Sequence, residues 1–178
     1  MIVPKVIRLY VKAITGVNRL LFMGVALLAF VIVPVMLYEV VSRYVFNAPT
    51  VWGMELATLI FGPYFLLGGP YLLHLGGHVS LDLVHRALSP AWKRRSDLFN
   101  HLVIICFCAI LLYYSLPLAM QSWAFRETSF SAWNPQIWPV KFSIPLAVSL
   151  LAAQSLAEFL CLLYREPSSR PDEDEVQA

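Results

Sequence analysis

Four long apolar runs constrain the fold of this chain more than any other feature. Residues 20–38, 56–81 and 98–125 contain no Asp, Glu, Lys or Arg, and residues 142–157 form a shorter fourth run. A helix needs roughly 20 residues to cross about 30 Å of hydrocarbon, and the fourth run reaches that length with its apolar flanks. The runs do not alternate as the strands of a membrane barrel do. We therefore predict an all-α integral membrane protein, a single domain of four transmembrane helices over about 20–42, 51–75, 98–123 and 138–163.

Composition agrees with that fold class. Hydrophobic residues make up 59% of the chain and charged residues 13%, whereas soluble domains are typically about 45–50% apolar and about 25% charged. The first run is too long for a secretory signal and has no small-x-small cleavage site after it, so we interpret it as a retained anchor. The three cysteines fall inside spans without C-x-x-C spacing, which favours packing roles over disulfides or zinc. Prolines inside the spans predict kinked helices.

The distribution of basic residues predicts the orientation. Of the 13 Lys and Arg residues, ten lie in the N-terminal segment, the second connection and the C-terminal tail. The other side of the membrane receives only Arg43, Arg126 and Lys141. The positive-inside rule then places both termini in the cytoplasm. For a bacterial protein this means a multi-pass inner-membrane protein.

Three segments are expected outside the spans. In residues 4–20 the polar residues, which include Thr15 besides four basic ones, recur at steps of about one helical turn, which predicts an amphipathic helix on the anionic cytoplasmic leaflet. These expected anchors are Lys5, Arg8, Lys12 and Arg19. The alternative is that this segment simply extends the first spanning helix. A second short interfacial helix is expected between spans 2 and 3, within residues 78–95, and residues 165–178 are expected to be a disordered acidic tail.

Three tryptophans mark the outer connection between spans 3 and 4. Trp123 stands at its entrance, Trp133 within it and Trp138 at its end. Tryptophans at a membrane border anchor a protein at the level of the lipid headgroups. The alternative is that this loop docks a partner protein.

Two acids and a base lie between the first two apolar runs. Glu39 and Arg43 have the favourable i,i+4 order, and Glu55 would lie near the start of the second helix, where the helix dipole favours an acid. Thr50, after a tight Asn-Ala-Pro turn, is positioned to cap that helix. We predict that the three charges form one cluster that holds the two helices together at the membrane border. The alternative is a contact with a partner.

No enzyme motif is present. The chain has no phosphate-binding glycine loop, zinc-protease helix or nucleophile elbow, so neither catalysis, a cofactor nor a nucleic-acid partner is expected. One alternative is an anchor subunit of a membrane oxidoreductase, with a b-type haem held by His74 and His101. The competing interpretation treats both histidines as interfacial polar residues. A further alternative is a structural membrane protein without a transporter partner.

The first hairpin also carries a family resemblance. The run Arg43-Tyr44-Val45-Phe46-Asn47-x-Pro49, followed by Trp52 and Glu55, resembles the first hairpin of the small membrane subunit of TRAP transporters (tripartite ATP-independent periplasmic transporters). The run at 78–83 and the Leu-Ser-Pro before the basic cluster resemble that family's second connection. The resemblance extends over nearly the whole chain.

The resemblance implies a function that the residues alone do not. In that family the small subunit scaffolds a much larger membrane subunit, which holds the substrate and sodium sites. A periplasmic binding protein delivers an organic acid to it. The resemblance therefore implies a non-catalytic subunit whose partners are the large subunit, the binding protein and membrane lipids. The charge cluster and the motif together supply the candidate subunit-interface residues, which are Glu39, Arg43, Tyr44, Phe46, Asn47, Trp52 and Glu55. The absence of a large-subunit segment in this chain suggests that the two subunits are encoded by separate genes.

Overall fold

A computed structural model describes residues 4–75 and 90–164 of the chain. It contains four helices, α1 (Lys5–Tyr44), α2 (Gly53–His74), α3 (Pro90–Ala124) and α4 (Trp138–Tyr164). All four are long and apolar enough to cross a membrane. The predicted all-α membrane fold with four spanning helices is therefore confirmed. The second family motif, at 78–83, and the predicted acidic tail lie outside the described residues.

The boundaries of α1 differ from the prediction. The segment expected as a separate interfacial helix is continuous with the first span, in one helix of 40 residues that is about 60 Å long. Its apolar stripe of Ile7, Val11 and Ile14 is half-buried, and the hydroxyl of Tyr10 donates to the carbonyl of Ala153, 2.9 Å away. The structure shows the alternative, a direct extension of the first spanning helix, and this extension also bonds to α4 through Thr15, whose hydroxyl lies 3.3 Å from Nε2 of Gln154. All four predicted basic anchors lie on the exposed side of α1.

The second predicted interfacial helix, within residues 78–95, also differs from the prediction in the part that the structure describes. Most of its range lies outside the described residues, but residues 90–95 form the first turns of α3.

The fourth helix is the centre of the bundle. It packs extensively against α1, α2 and α3, and α1 also packs against α2. In the most apolar stretch of each helix, 33% of α4 is buried, against 11% of α1 and of α3. The outer helices therefore leave most of their apolar surface free.

The internal prolines do not end any helix. Pro34 lies inside α1, Pro63 and Pro70 inside α2, Pro117 inside α3 and Pro145 inside α4. Near the last of these, the hydroxyl of Ser149 donates to the carbonyl of Pro145, one turn earlier and 2.7 Å away.

Candidate functional site

The carboxylate of Glu39 organises the outer hairpin, the connection of residues 45–52 between α1 and α2. Its side chain is only 2% exposed. Oε1 accepts from the guanidinium of Arg43, with Nε 3.0 Å away. Oε2 accepts from the backbone N–H of Thr50, 3.1 Å away, and also from the Thr50 hydroxyl. One buried acid thus joins the last turns of α1 to the residues just before α2.

The hairpin also fixes the residue at which α2 begins. The hydroxyl oxygen of Thr50 accepts the N–H of Gly53, 3.0 Å away, so it satisfies one of the free amides of the first helical turn. A Cβ at Gly53 would lie 2.7 Å from that hydroxyl oxygen and 3.0 Å from Oε2 of Glu39. Only glycine fits this close approach. We call Glu39, Arg43, Thr50 and Gly53 the Glu39 cluster.

Two further motif residues have structural roles in the hairpin. Asn47 adopts the left-handed backbone conformation with φ 51°, which asparagine tolerates better than most residues. The hydroxyl of Ser42 donates to the carbonyl of Ala48, 2.6 Å away, and closes the turn. The ring of Trp52 stacks on Tyr38 with centroids 6.1 Å apart. The motif pattern therefore encodes the turn itself.

The predicted three-charge cluster is wrong in one member. Arg43 pairs with Glu39, but Glu55 bonds elsewhere: its Oε2 accepts from the hydroxyl of Ser131, 2.6 Å away. Glu55 does lie in the first turn of α2, as predicted. The buried Glu39 already takes the guanidinium, so Glu55 is left to bind the loop between α3 and α4, residues 125–137. At this end of the bundle, the start of α2 beside the hairpin is thus bonded to the loop between α3 and α4.

Other candidate interface residues face outward. Tyr44 and Phe46 are 76% and 70% exposed, and Val45 between them is exposed as well. Tyr44 is the last residue of α1 and the other two follow it directly, next in sequence to Arg43 of the Glu39 cluster. The part of the chain that the structure describes leaves these side chains, which we call the motif surface, largely uncovered.

The loop of residues 125–137 is held by its own ion pair. Lys141 lies against Glu127, and this lysine, followed by the hydroxyl of Ser122, holds the pKa of the Glu127 carboxyl below its ordinary value. An isolated antiparallel bridge joins Thr128 to Gln136. Trp123 and Trp138, which flank the loop, meet edge to face with centroids 4.3 Å apart.

A polar core lies at the other end of the bundle. Its members are the buried side chains of Asn18, His74, His101, Gln154, Ser155 and Glu158. The amide Nδ2 of Asn18 donates to Oε1 of Gln154, 2.8 Å away. His74 Nδ1 lies 2.6 Å from Oε1 of Glu158. These two bonds connect α1 and α2 to the same stretch of α4.

The third connection of the polar core goes to α3. His101 Nδ1 lies 3.1 Å from the hydroxyl of Ser155, and that hydroxyl also lies 3.2 Å from the carbonyl oxygen of His101. Within less than two turns, α4 therefore bonds to each of the other three helices. Polar side chains buried in apolar surroundings need such partners, because an unsatisfied one is costly in lipid.

The haem alternative finds no support in this geometry. His74 and His101 are 3% and 4% exposed, and each ring nitrogen Nδ1 is bonded to a side chain of α4. Both histidines therefore serve helix packing.

Most of the polar core was not predicted from the sequence. Glu158 directly follows the fourth apolar run, but it is six residues inside the end of α4 and buried. A signal was present: Gln154 and Ser155 lie within that run, and Glu158 follows them after about one helical turn. Polar residues on one side of a spanning helix face protein rather than lipid.

The comparison with known families decides the identity. The family described as "Tripartite ATP-independent periplasmic transporters, DctQ component" matches residues 32–165. The chain belongs to this family. The match begins in the middle of α1 and includes the whole outer hairpin, α2, α3 and α4. The resemblance stated from the motif is thereby confirmed, and the DctQ component is the small permease subunit of a TRAP transporter.

Membership also fixes the general location. A DctQ component with four apolar helices is a multi-pass inner-membrane protein. None of the curated proteins compared with the chain matches it. Residues 1–31 lie before the family match, yet Asn18 belongs to the polar core. The first half of α1 is thus integrated into the DctQ fold.

Proposed function

We propose that this DctQ component is a non-catalytic scaffold that pairs with the large membrane subunit of a TRAP transporter. In this proposal the large subunit performs sodium-coupled uptake of an organic acid delivered by a periplasmic binding protein. The single observation that carries the scaffold role is the polar core. Through it α4 is bonded to α1, α2 and α3 by buried side chains.

Such bonds favour a rigid bundle over a moving one. Each joins side chains on different helices that are nearly inaccessible to solvent, and sliding one helix along another would leave buried polar atoms without partners. An unsatisfied buried polar group costs about 1–3 kcal/mol. At the opposite end, the Glu39 cluster and the bond between Glu55 and Ser131 join the hairpin and the loop. A subunit that does not move during transport needs such bonds between its helices.

The outer surface favours a large apolar partner. The spans of α1 and α3 bury only 11% of their most apolar stretch within the described chain, and large side chains such as Phe30 (79%) and Tyr113 (75%) are exposed. Lipid accounts for part of this surface. We propose that the large subunit covers another part, including the motif surface beside the Glu39 cluster, with Tyr44, Phe46 and Trp52 as contacts.

The orientation in this proposal follows the charge distribution. Both termini and the connection between α2 and α3 are cytoplasmic, and the Glu39 cluster and the loop of residues 125–137 are periplasmic. The hairpin and the loop then lie on the side from which a binding protein approaches.

Transport in proteoliposomes tests the division of labour. Liposomes containing this chain alone should take up no organic acid when a sodium gradient and the binding protein are supplied. Adding the large subunit should restore uptake. Uptake by this chain alone would show that it carries its own substrate pathway, and the scaffold proposal would be wrong.

A further inference from the structure

A small cavity at the periplasmic border of the bundle has no assigned role. Its volume is about 220 Å³, and it is lined by Trp123, Arg126, Gln136 and Trp138. Since a water molecule takes up about 30 Å³ of liquid, the cavity has room for a group of several heavy atoms. It lies where α3 ends and α4 begins, at the edge of two apolar spans.

Two exposed side chains that line this cavity, Arg126 and Gln136, offer hydrogen-bond donors to it. In the part of the chain that the structure describes, the guanidinium of Arg126 makes no hydrogen bond or ion pair. The neighbouring acid, Glu127, is held by Lys141 instead. Gln136 accepts from the indole N–H of Trp138, 2.9 Å away, through its oxygen. Because indole nitrogen only donates, this bond leaves the amide NH₂ of Gln136 as a donor. The cavity is thus suited to an oxyanion.

The backbone conformation of Arg126, beside this cavity, is unfavourable for a residue other than glycine. Its N–H bonds to the carbonyl of Trp123, and the N–H of Glu127 bonds to the carbonyl of Ser122, both at 3.0 Å. These two bonds define a Schellman motif at the end of α3, in which the residue after the cap is usually glycine. Arg126 occupies that position with φ 46°, a conformation that costs a non-glycine residue free energy. Strain held at a charged, unpaired side chain is an indication of function.

We propose that this cavity binds the phosphate of a phospholipid headgroup in the outer leaflet. Arg126 supplies the forked donor that matches phosphate geometry, and Gln136 supplies a second donor. The tryptophans occupy the level of the headgroups. A lipid fits better than free phosphate because Met120, near the end of α3, and Phe125, just after it, are 60% and 77% exposed and offer an apolar surface to acyl chains. This inference does not depend on pairing with the large subunit.

Native mass spectrometry of the full chain in detergent tests the site. The probes are phosphatidylglycerol, phosphatidylethanolamine, a diacylglycerol with the same acyl chains, and inorganic phosphate. We expect both phospholipids to be retained and the diacylglycerol to bind at least about tenfold more weakly. Inorganic phosphate should not displace them. If diacylglycerol binds equally well, or if inorganic phosphate displaces the lipid, the lipid-headgroup site is refuted.

Two variants separate binding from folding. Arg126→Gly should weaken phospholipid binding about tenfold and yet leave the melting temperature of the lipid-free protein unchanged or higher, because glycine suits the left-handed backbone. Gln136→Glu keeps an oxygen for Trp138 but places a negative charge in the cavity, and it should weaken binding similarly. Gln121→Glu is the matched control, because Gln121 does not line this cavity, and it should bind as the natural chain does.

The variants also give the outcomes that overturn the proposal. If Arg126→Gly and Gln136→Glu both retain phospholipid with unchanged affinity, the cavity is not the site. If lipid binding is unchanged but either variant loses the large subunit on co-purification, the donors meet an acidic side chain of a protein partner instead. That result would likewise rule out the lipid.

Discussion

Nδ1 of His74 on α2 lies 2.6 Å from Oε1 of Glu158 on α4, and both side chains are only 4% exposed. Gln154, one turn earlier on α4, also approaches the same carboxylate oxygen, with Nε2 3.3 Å away, while its own oxygen accepts from Asn18 of α1. Contacts between three helices therefore converge on one buried acid. The free energy that keeps the bundle together should be concentrated there.

Replacing His74 tests that concentration. His74→Ala should lower the free energy of unfolding by between about 1 kcal/mol, the lower limit for a buried hydrogen bond, and about 5 kcal/mol, the upper limit for a buried charged pair. Glu158→Gln should cost less, because an amide can still bond to the imidazole. The measurement is the unfolding midpoint in detergent, with the exposed Leu156→Ala on the same helix as control. An effect of His74→Ala no larger than that control would show that the pair is unimportant for stability.

Two glycines in α2 provide a matched test of the Glu39 cluster. Gly53→Ala would place a methyl group 2.7 Å from the hydroxyl oxygen of Thr50 and 3.0 Å from Oε2 of Glu39, whereas a Cβ at Gly69 meets nothing within 4 Å. Gly69→Ala should be neutral or stabilising, since alanine favours a helix by about 1 kcal/mol over glycine. Gly53→Ala should be destabilising despite that gain. The same thermal scan measures both, and equal shifts would mean that the hairpin is not closely packed around Glu39.

Arg43 tests whether the hairpin matters for assembly. Its side chain is 44% exposed, so Arg43→Ala leaves Glu39 bonded to Thr50 and should reduce stability only slightly, closer to the 0–1 kcal/mol of an exposed pair. If the motif surface contacts the large subunit, the variant should lower the amount of co-purifying large subunit and the maximal uptake rate. The half-saturating solute concentration should stay unchanged. A changed solute preference in an intact complex would instead mean that the cluster recognises substrate.

The orientation is tested by reporter fusions. Fusions after Ala48 and after Ser131 should report the periplasm, because the hairpin and the loop lie opposite the basic segments. A fusion after Pro90 should report the cytoplasm. Periplasmic signal at Pro90 together with cytoplasmic signal at Ala48 would invert the orientation.

The helices of this fold were easier to predict from the sequence than the contacts between them. Four spans follow directly from the apolar runs, since length and hydropathy alone decide whether a helix can cross lipid. The pair of Glu39 and Arg43 follows from i,i+4 spacing. In contrast, the partner of Glu55 is 76 residues away at Ser131, and no local pattern encodes that distance.

The polar core shows why packing faces were harder to predict. Lipid and neighbouring helices are equally apolar, so hydropathy does not distinguish a face against lipid from a face against protein. Isolated polar residues such as Asn18 and Gln154 carry that information, because only protein can satisfy them. The same argument explains why residues 4–20 became part of α1. Their apolar stripe lies on the side of α1 that bonds to α4 through Tyr10, rather than against the lipid headgroups.

The central claim, that this DctQ component forms a complex with a large TRAP membrane subunit, is tested most directly by co-purification. The tagged chain is co-expressed with a large TRAP membrane subunit from the same organism, extracted in mild detergent and sized by chromatography. We predict that both chains elute together in a fixed ratio. If the large subunit reaches the membrane but the tagged chain elutes alone under every mild detergent that keeps it folded, the scaffold account is contradicted.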